Sequence, residues 1–331
     1  MSDVNRQWRL RSRPVGWVKE SDFELHREPV PTPGPGQALV RNLYLAFEPA
    51  MRGWIEDRPS YMPPVGIGEV MRGMTVGRVE KSNLGALRPG DLVQSMSGWQ
   101  EWTLADTAVT KLAQGVDPTL ALSVLGATGV TAYFGILDVG QVKSGETVLV
   151  SGAAGATGSV AGQIARLLGA RAIGIAGGAE KCRWLTDEAG FDGAIDYKQE
   201  DVAARLDALC PGGIDVYFDN VGGPTLDLVL ARIRHGARIV LCGAISRYNE
   251  KELPPGPRNY FELTIRSARM QGFIVLDYLR RFPEAQEKLL AWVAEGKIAW
   301  KADVQQGFEN APRTFLRLFR GENFGKQLLK I

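Results

Sequence analysis

The stretch "VLVSGAAGATGSVAGQIARLLGA" at residues 148–170 decides the fold. It begins as a short apolar strand, passes through a glycine turn and ends as a helix, in which Val160, Ile164 and Leu168 recur at helical spacing. Within it, "AAGATG" is the dinucleotide-binding fingerprint with alanine in the first glycine position. Gly155 allows the backbone to approach a pyrophosphate, and Gly158 allows the helix to pack closely on the strand. The order strand, turn, helix favours a dinucleotide site over a glycine turn without a ligand.

The residues after the next strand indicate which dinucleotide would bind. An NAD site has an acidic residue there, about 20 residues past the turn, which bonds the ribose 2′-hydroxyl. Here Gly177 and Gly178 occupy that place, and the cations Lys181 and Arg183 follow. A carboxylate would repel a 2′-phosphate and a cation would attract it, so the pattern predicts NADP(H). The alternatives are that Lys181 is only a solvated lysine on a helix surface and that the nearby Glu180 faces the ribose, although its place before Lys181 does not require this.

The chain changes character near residue 125. Residues 1–125 contain short apolar stretches between proline- and glycine-rich turns, which is typical of a β barrel or sandwich. Residues 126–299 alternate strand-like and helical runs, which predicts a parallel, doubly wound sheet covered on both faces. The fold class is therefore α/β, with a β-rich domain and a sheet domain, and residues 300–331 add a further helix and an apolar tail.

The composition is that of an ordinary globular protein with a small-molecule ligand. The 331 residues are 45% hydrophobic and 23% charged, with a formal net charge of +2. This charge is too small to indicate nucleic acid or a membrane surface as the main partner. No apolar run reaches about 18 residues, and residues 1–30 have no apolar signal segment. Three widely spaced cysteines fit a reducing compartment, so we expect a cytoplasmic protein.

A metal site is not expected. The only histidines are His26 and His235, and the sequence has no CxxC, no HExxH and no clustered Cys/His spacing. His235 lies in "RIRHGAR", where a solvent-facing position is expected.

Ten segments together resemble one known family across essentially the whole chain. They are "EPAMRGW", "MTVGRVEKSN", "RPGDLV", "LGATGVTAYFGI", "SGAAGATGSVAGQIA", "YFDNVGG", "LCGAISRYN", "MQGFIV", "WVAEGKI" and "GENFGK". The chain resembles the zinc-independent medium-chain dehydrogenase/reductases. Within them it is similar to the leukotriene B4 12-hydroxydehydrogenase and prostaglandin reductase branch, which includes plant 2-alkenal reductases and bacterial curcumin reductases. The resemblance implies a GroES-like catalytic domain at 1–125, completed by 300–331, a Rossmann NADP-binding domain at 126–299, a cofactor between them, and a homodimer.

The resemblance also assigns roles to individual residues. It implies pyrophosphate contacts at the glycine turn, 2′-phosphate contacts after the second strand, and nicotinamide contacts at later strand ends and in the tail. The implied cofactor residues are Gly155, Ala156, Thr157 and Gly158; Lys181 and Tyr197; Asn220; Cys242, Gly243, Ala244, Ile245 and Ser246; Phe273, Ile274 and Val275; and Asn323. Taken alone, Cys242 and Val275 would pass as core residues, and Asn220 and Asn323 as turn residues.

The implied reaction is reduction of the C=C bond of an α,β-unsaturated aldehyde or ketone. Hydride from NADPH goes to the β-carbon, and negative charge develops on the carbonyl oxygen, which needs a donor but no metal. The candidate donor is the phenol of Tyr248, which carries an O–H at neutral pH. The ribose hydroxyl could share this role, or Tyr248 could only pack against the cofactor.

The substrate itself is less well defined by the sequence. The family's usual "DPYMRG" is "EPAMRG" here, so Ala50 replaces a large side chain near the expected substrate site. The long segment 246–269 reads as a mobile lid with Tyr260 and Phe261 as wall residues. Further apolar wall candidates, for which a place in the barrel core is an equal alternative, are Tyr44, Phe47, Met51, Trp54 and Tyr61.

Two other functions fit the same sequence. The first is an NADPH:quinone reductase on the same scaffold. The second, from another class, is a non-catalytic NADPH-binding sensor protein. Comparing turnover of enones with turnover of quinones distinguishes the enone reductase from the quinone reductase. Tight NADPH binding without turnover would favour the sensor.

Overall fold

The turn-rich beginning of the chain forms short strands and two short helices. The computed structural model describes residues 4–252 and 254–331. The first elements are β1 (Val4–Leu10), β2 (Phe23–Pro29), β3 (Ala38–Ala46), α1 (Met51–Trp54), β4 (Thr75–Ser82), β5 (Leu92–Ser95), β6 (Trp102–Ala105), β7 (Thr110–Lys111) and α2 (Pro118–Leu122).

The middle of the chain alternates helices and strands, as its apolar periodicity predicts. Its elements are α3 (Ala127–Phe134), β8 (Thr147–Ser151), α4 (Ala156–Leu167), β9 (Arg171–Ala176), α5 (Ala179–Asp187), β10 (Gly193–Asp196), α6 (Val202–Leu209), β11 (Ile214–Asp219), α7 (Gly223–Leu230), β12 (Ile233–Leu241), α8 (Glu262–Ile265), β13 (Arg269–Gly272) and α9 (Phe282–Ala294). The end of the chain adds β14 (Ala302–Gln306), α10 (Ala311–Arg320) and β15 (Lys326–Lys330).

These elements divide into two units. Unit 1 comprises Met1–Leu122 and Ala302–Ile331, and unit 2 comprises Ser123–Lys301. In unit 1, β14, β15, β3, β4, β5 and β7 follow one another in a sheet, with β6 also paired to β3, while β1 and β2 form a separate antiparallel pair. Strand β15 runs antiparallel to β3 with Leu329 opposite Leu45, so the tail is part of the sheet of unit 1.

Unit 2 contains the doubly wound sheet expected from the sequence. Its strands lie in the order β10-β9-β8-β11-β12-β13, and each strand pairs in parallel with its neighbours. Numbered from β8, this is the order 3-2-1-4-5-6 of dinucleotide-binding folds. All six residues of β11 are buried, because helices cover both faces of the sheet.

Aromatic side chains fill the core of unit 1. The ring of Trp99 is fully buried, and its centroid lies 5.1 Å from Phe23, 5.1 Å from Phe47 and 5.6 Å from Phe315. Phe315 belongs to α10, so the returning tail supplies part of this core. Among the described residues, none of the helices has both the length and the apolarity needed to cross a bilayer.

The aromatic core generates a stability prediction for the tail. Phe315→Ala should lower the unfolding free energy of unit 1 by about 3–5 kcal/mol, because it leaves a cavity among buried rings. Urea unfolding followed by tryptophan fluorescence measures this, since Trp99 lies in the same cluster. The matched control is Phe319→Ala, one turn further on and only partly buried, which should cost less. A loss at Phe315 no larger than at Phe319 would contradict this account of the core.

Candidate functional site

The site lies where the strand order of unit 2 reverses. Strands β8 and β11 are neighbours, and their connections leave in opposite directions, so a crevice opens at their carboxyl ends. The glycine turn follows β8 directly: Gly152 has a φ of +58°, and the N–H of Gly155 donates to Gly152 O at 3.0 Å. Helix α4 then begins at Ala156, so Ala156, Thr157 and Gly158 form its first turn.

Space limits side chains at two glycines of the turn, and most strictly at Gly158. A Cβ on Gly158 would lie 2.4 Å from Gly152 O and 3.0 Å from the Cα of Ala153. A Cβ on Gly155 would lie 3.1 Å from the same carbonyl oxygen. A side chain at Gly158 would therefore overlap the backbone, and one at Gly155 would crowd it. The first N–H groups of a 12-residue helix open beside this turn. These residues fit a pyrophosphate group, which helix N-termini bind through such N–H groups.

Side chains are disfavoured at two adjacent positions after β9, for different reasons. At Gly177 a Cβ would lie 2.8–2.9 Å from the ring and hydroxyl of Tyr197. At Gly178 the backbone has a φ of +102°, which side chains rarely tolerate. These are the positions at which an NAD site carries its acid.

The acid that does lie nearby is turned inward. Asp196 ends β10 and is buried, and its Oδ1 accepts the N–H of Gly178 at 2.8 Å and that of Lys198 at 3.0 Å. Its carboxylate therefore fixes the backbone of Gly178 and is not presented to solvent. Lys181 is partly buried in the first turn of α5, and Tyr197 is half exposed beside Gly177. The structure thus brings Lys181, Tyr197 and the two glycines to one edge of the sheet.

The predicted residues after β11 and β12 also come together. Asn220 donates from its Nδ2 to Ser151 O at 2.7 Å, and from its N–H to Ser151 Oγ at 3.0 Å. The N–H groups of Cys242 and Gly243 donate to Asp219 O, and that of Ile245 donates to Asn220 O. The segment 242–246 therefore lies along 219–221, next to the glycine turn.

Tyr248 folds back onto this segment. Its phenol oxygen accepts the N–H of Ala244 at 3.2 Å, and it follows a 3₁₀ turn at Ile245–Arg247. Ser246 is tied in turn, since its Oγ donates to Val221 O at 2.6 Å. Because the phenol oxygen is the acceptor in the bond to Ala244, its own O–H proton is not used there. The catalytic role of Tyr248 stays a prediction.

Cys242 is held as a thiol. Burial, and secondarily the negative charge of Asp219, raise the pKa of Cys242 to about 12. In neutral solution its sulfur is therefore an apolar contact and not a nucleophile.

Phe273, Ile274 and Val275 follow β13, the strand next to β12. The Phe273 ring lies against Gly135, where a Cβ would be 2.9 Å from its Cζ, and edge-on to Tyr278 at 6.3 Å. Ile274 is more than one-third exposed. Asn323 belongs to unit 1, where its Nδ2 donates to Gly325 O at 3.0 Å, and its contact with the cofactor stays a prediction.

The apolar residues of unit 1 that were predicted to line the substrate site differ in exposure. Phe47, Met51 and Trp54 are core residues, buried to 4% exposure or less, while Tyr44 is partly buried. Tyr61 is 46% exposed, and its hydroxyl accepts the indole N–H of Trp54 at 2.9 Å. Of the five, Tyr61 is thus the side chain most open to a ligand.

The segment 246–269 is partly structured in the residues described. It contains α8 and is anchored to α7, since Arg258 N–H donates to Asp227 Oδ1 and Asn259 Nδ2 to Asp227 O, both at 2.8 Å. Tyr260 and Phe261 are exposed, at 64% and 61%. Movement of this segment as a lid stays a prediction. Within 4–252 and 254–331, no three His, Cys, Asp or Glu side chains converge as metal ligands would, and His235 is exposed on β12.

Sequence reasoning missed several buried polar residues. Asp219 and Ser151 are fully buried at the strand ends, and their bonds link the turns described above. The acidic residue at the end of the apolar run "IDVYFD" could have indicated this buried carboxylate. In unit 1, Lys326 is almost fully buried and pairs with Glu48 at 3.0 Å, joining the tail to the "EPAMRG" turn. No sequence signal connects those two positions, which are 278 residues apart.

Known proteins match this chain over nearly its whole length. A family model described as the N-terminal domain of oxidoreductase matches residues 6–112, and one described as zinc-binding dehydrogenase matches residues 156–295. The NADPH-dependent curcumin reductase of Escherichia coli (strain K12) is 46% identical over 99% of this chain and 97% of its own. The chain belongs to the zinc-independent medium-chain dehydrogenase/reductase family.

Other members of this family also match nearly the whole chain. The 2-alkenal reductase (NADP(+)-dependent) of Nicotiana tabacum is 38% identical over 99% of this chain and 97% of its own. The crystal structure of CurA from Vibrio vulnificus in complex with NADPH has a TM-score of 0.94 and 45% identity, and covers 98% of each chain. The β-rich first domain and the parallel-sheet Rossmann domain are those of the family, as the sequence predicted.

The close packing at the glycine turn generates the next prediction. Gly158→Ala should lower the unfolding free energy of unit 2 by about 1–3 kcal/mol, because the added methyl group overlaps Gly152 O. Chemical denaturation measures the change. The control is Gly53→Ala in α1, where a Cβ would meet nothing within 4 Å, and which should be neutral or slightly stabilising. Equal stability of the two variants would show that the close approach is not there.

Proposed function

We propose that the protein reduces the C=C bond of α,β-unsaturated aldehydes or ketones with NADPH, by metal-independent hydride transfer to the β-carbon. The observation that carries this proposal is the 46% identity, over 99% of the chain, to an NADPH-dependent curcumin reductase. Relatives named 2-alkenal reductase and prostaglandin reductase support the same substrate class.

The site supports NADP(H) over NAD(H). The places of an NAD-type acid are Gly177 and Gly178. A side chain at Gly177 would have to shift the half-exposed Tyr197 ring, and the positive φ of Gly178 disfavours any side chain there. The carboxylate of Asp196 is engaged with the backbone. Lys181 can then meet a 2′-phosphate with its charge, and Tyr197 can lie beside it. Gly155, Ala156, Thr157 and Gly158 would hold the pyrophosphate through the start of α4.

The remaining residues would orient the reacting end and hold a proton. When bound, the nicotinamide supplies the hydride. Asn220 and the segment 242–246 would line one side of it, with Phe273, Ile274, Val275 and Asn323 at the carboxamide. Tyr248 would donate its O–H to the carbonyl oxygen of the substrate as charge develops there. The bond from Ala244 N–H fixes the position of its phenol oxygen, which can both accept this bond and donate its own O–H.

We also propose a cytoplasmic homodimer. Strand β13 is the edge of its sheet, and Arg269, Gln271 and Gly272 on it are exposed. The exposed apolar side chains of Ile265 and Leu279 lie in segments flanking it in sequence. An unpaired strand edge with apolar neighbours suits pairing with a second copy. The three cysteines are not in disulfides, which suits a reducing compartment.

Lys181→Ala should weaken NADPH binding by about 1–3 kcal/mol, because it removes a charged partner of the 2′-phosphate. NADH binding should change little, since NADH has no such phosphate. Fluorescence titration with each cofactor measures both affinities. The exposed Lys288 on α9 provides the control, because Lys288→Ala changes net charge equally. An equal loss of affinity for NADPH and NADH would show that Lys181 does not contact the 2′-phosphate.

Reduction with a deuteride-labelled NADPH should place the label on the β-carbon of a saturated ketone or aldehyde.

Tyr248→Phe should lower turnover with little change in NADPH affinity. The loss should be smaller than the ~2.7–4 kcal/mol of a tightly organised oxyanion donor, because enolate charge is delocalised. Product analysis and kinetics with an enone panel and a quinone panel measure these outcomes.

The control for Tyr248→Phe is Tyr133→Phe, the same chemical change at a phenol bonded to Glu284. An allylic alcohol as the main product would contradict the reaction. Faster turnover of quinones would favour the quinone reductase, and NADPH binding without any turnover would favour the sensor. An unchanged rate in Tyr248→Phe would keep the reaction and leave Tyr248 a packing residue.

A further inference from the structure

A single buried carboxylate lies where the three central strands of unit 2 end. Asp219 is the last residue of β11 and is fully buried. In register, Phe218 lies beside Val150 on β8, and Asp219 lies beside Leu241 on β12. The carboxylate is therefore at the edge of the sheet from which the glycine turn, the 220–222 turn and the 242–248 segment all leave.

One oxygen of this carboxylate gathers four donors. Asp219 Oδ1 accepts Ser151 Oγ at 3.0 Å and Tyr217 OH at 2.8 Å. It also accepts the N–H groups of Val221 at 2.9 Å and Gly222 at 2.8 Å. The other oxygen, Oδ2, is buried, and among the described residues it has no hydrogen-bond partner. Burying a charge is costly unless donors compensate it, so the four bonds on Oδ1 are needed to keep the carboxylate there.

The bonded donors belong to the segments that carry the cofactor residues. Ser151 immediately precedes Gly152, and its own oxygens bind the N–H and Nδ2 of Asn220. Val221 O in turn accepts Ser246 Oγ and Ser246 N–H. The main-chain oxygen of Asp219 accepts the N–H groups of Cys242 and Gly243. Asp219 is thus connected to the glycine turn, to Asn220 and to the 242–246 segment through at most two successive hydrogen bonds.

We propose that Asp219 is a positioning residue for the cofactor site, a role that rests on the proposed NADPH-dependent function. Its charged Oδ1 bonds Ser151 and the 221–222 turn, and its main-chain oxygen bonds the 242–243 segment. Through these bonds the glycine turn, Asn220 and the 242–246 segment keep one relative arrangement. Asp219 does not itself touch the cofactor, because both side-chain oxygens are enclosed. Hydrogen bonds to a charged acceptor are stronger than those to a neutral one, so the charge sets how rigidly the arrangement is kept.

A purely structural role is the competing explanation, and the chain offers a matched control for it. Asp215 is a buried carboxylate on the same strand, four residues earlier, at the opposite end of the sheet. Its Oδ2 accepts Thr147 N–H at the start of β8, at 2.8 Å, and it pairs with Arg234. Asp215 and Asp219 therefore tie the same two strands together, and only Asp219 does so at the candidate site.

The experiment compares Asp219→Asn with Asp215→Asn. Asparagine keeps an oxygen for the four donors of Asp219 and removes the charge. We expect Asp219→Asn to raise the Kd of NADPH about tenfold, which corresponds to about 1.4 kcal/mol. Its KM for NADPH should rise while kcat at saturating NADPH stays close to that of the unchanged protein. Asp215→Asn should leave the Kd within about twofold while also lowering the melting temperature.

Two results would overturn the proposal. They are an unchanged NADPH Kd in Asp219→Asn with only a lower melting temperature, or an equal rise of Kd in Asp215→Asn. If Asp219→Asn does not fold, Ser151→Ala decides by the same criteria, because it removes one donor to Oδ1 and the bond to Asn220 N–H. The Kd is measured by fluorescence titration without any enone. A protein that binds NADPH but reduces no enone would contradict the proposed function and still test this inference.

Discussion

The parallel pairing of β8 with β11 is the constraint on which the rest of unit 2 depends. Both strands are buried on both faces, so their ends cannot rely on water for every polar group. Ser151, Asp219 and Asn220 supply those partners at the carboxyl ends, and Asp215 does so at the amino ends. The same groups that complete the sheet also shape the loops that leave it. Stability and the form of the candidate site therefore have a common origin here.

The sequence predicted what is local. Apolar strands, the glycine turn and the helix of residues 156–167 follow from spacing, because β and α periodicities differ and glycine marks close approach. The sequence could not predict contacts made between distant segments. The pairs Ser151–Asn220 and Glu48–Lys326 are 69 and 278 residues apart, and no periodicity relates them. Tyr248 was found by resemblance, but its bond to Ala244 required the fold.

Discrimination between cofactors in this site is a matter of space as well as charge. The Tyr197 ring occupies the volume above Gly177, and the positive φ of Gly178 resists any side chain. An acid introduced at Gly177 would have to shift this half-exposed ring, and an acid introduced at Gly178 would strain the backbone. The charge pattern of "GGAEKC" predicts NADP(H), but it does not reveal the steric and backbone restrictions at the two glycines.

The raised thiol pKa values have a chemical meaning for the proposed substrates. Unsaturated aldehydes and ketones alkylate thiolates, so an enzyme that concentrates them is exposed to inactivation by its own substrate. Burial, with nearby acids, raises the pKa of Cys182 to about 11 and that of Cys242 to about 12, and burial also raises the pKa of Cys210. At pH 7 a thiol of pKa 11 is ionised in only about one molecule in ten thousand, and the thiolate is the reactive form. Burial therefore favours the thiol form of all three cysteines, which suits a protein proposed to handle electrophilic enones.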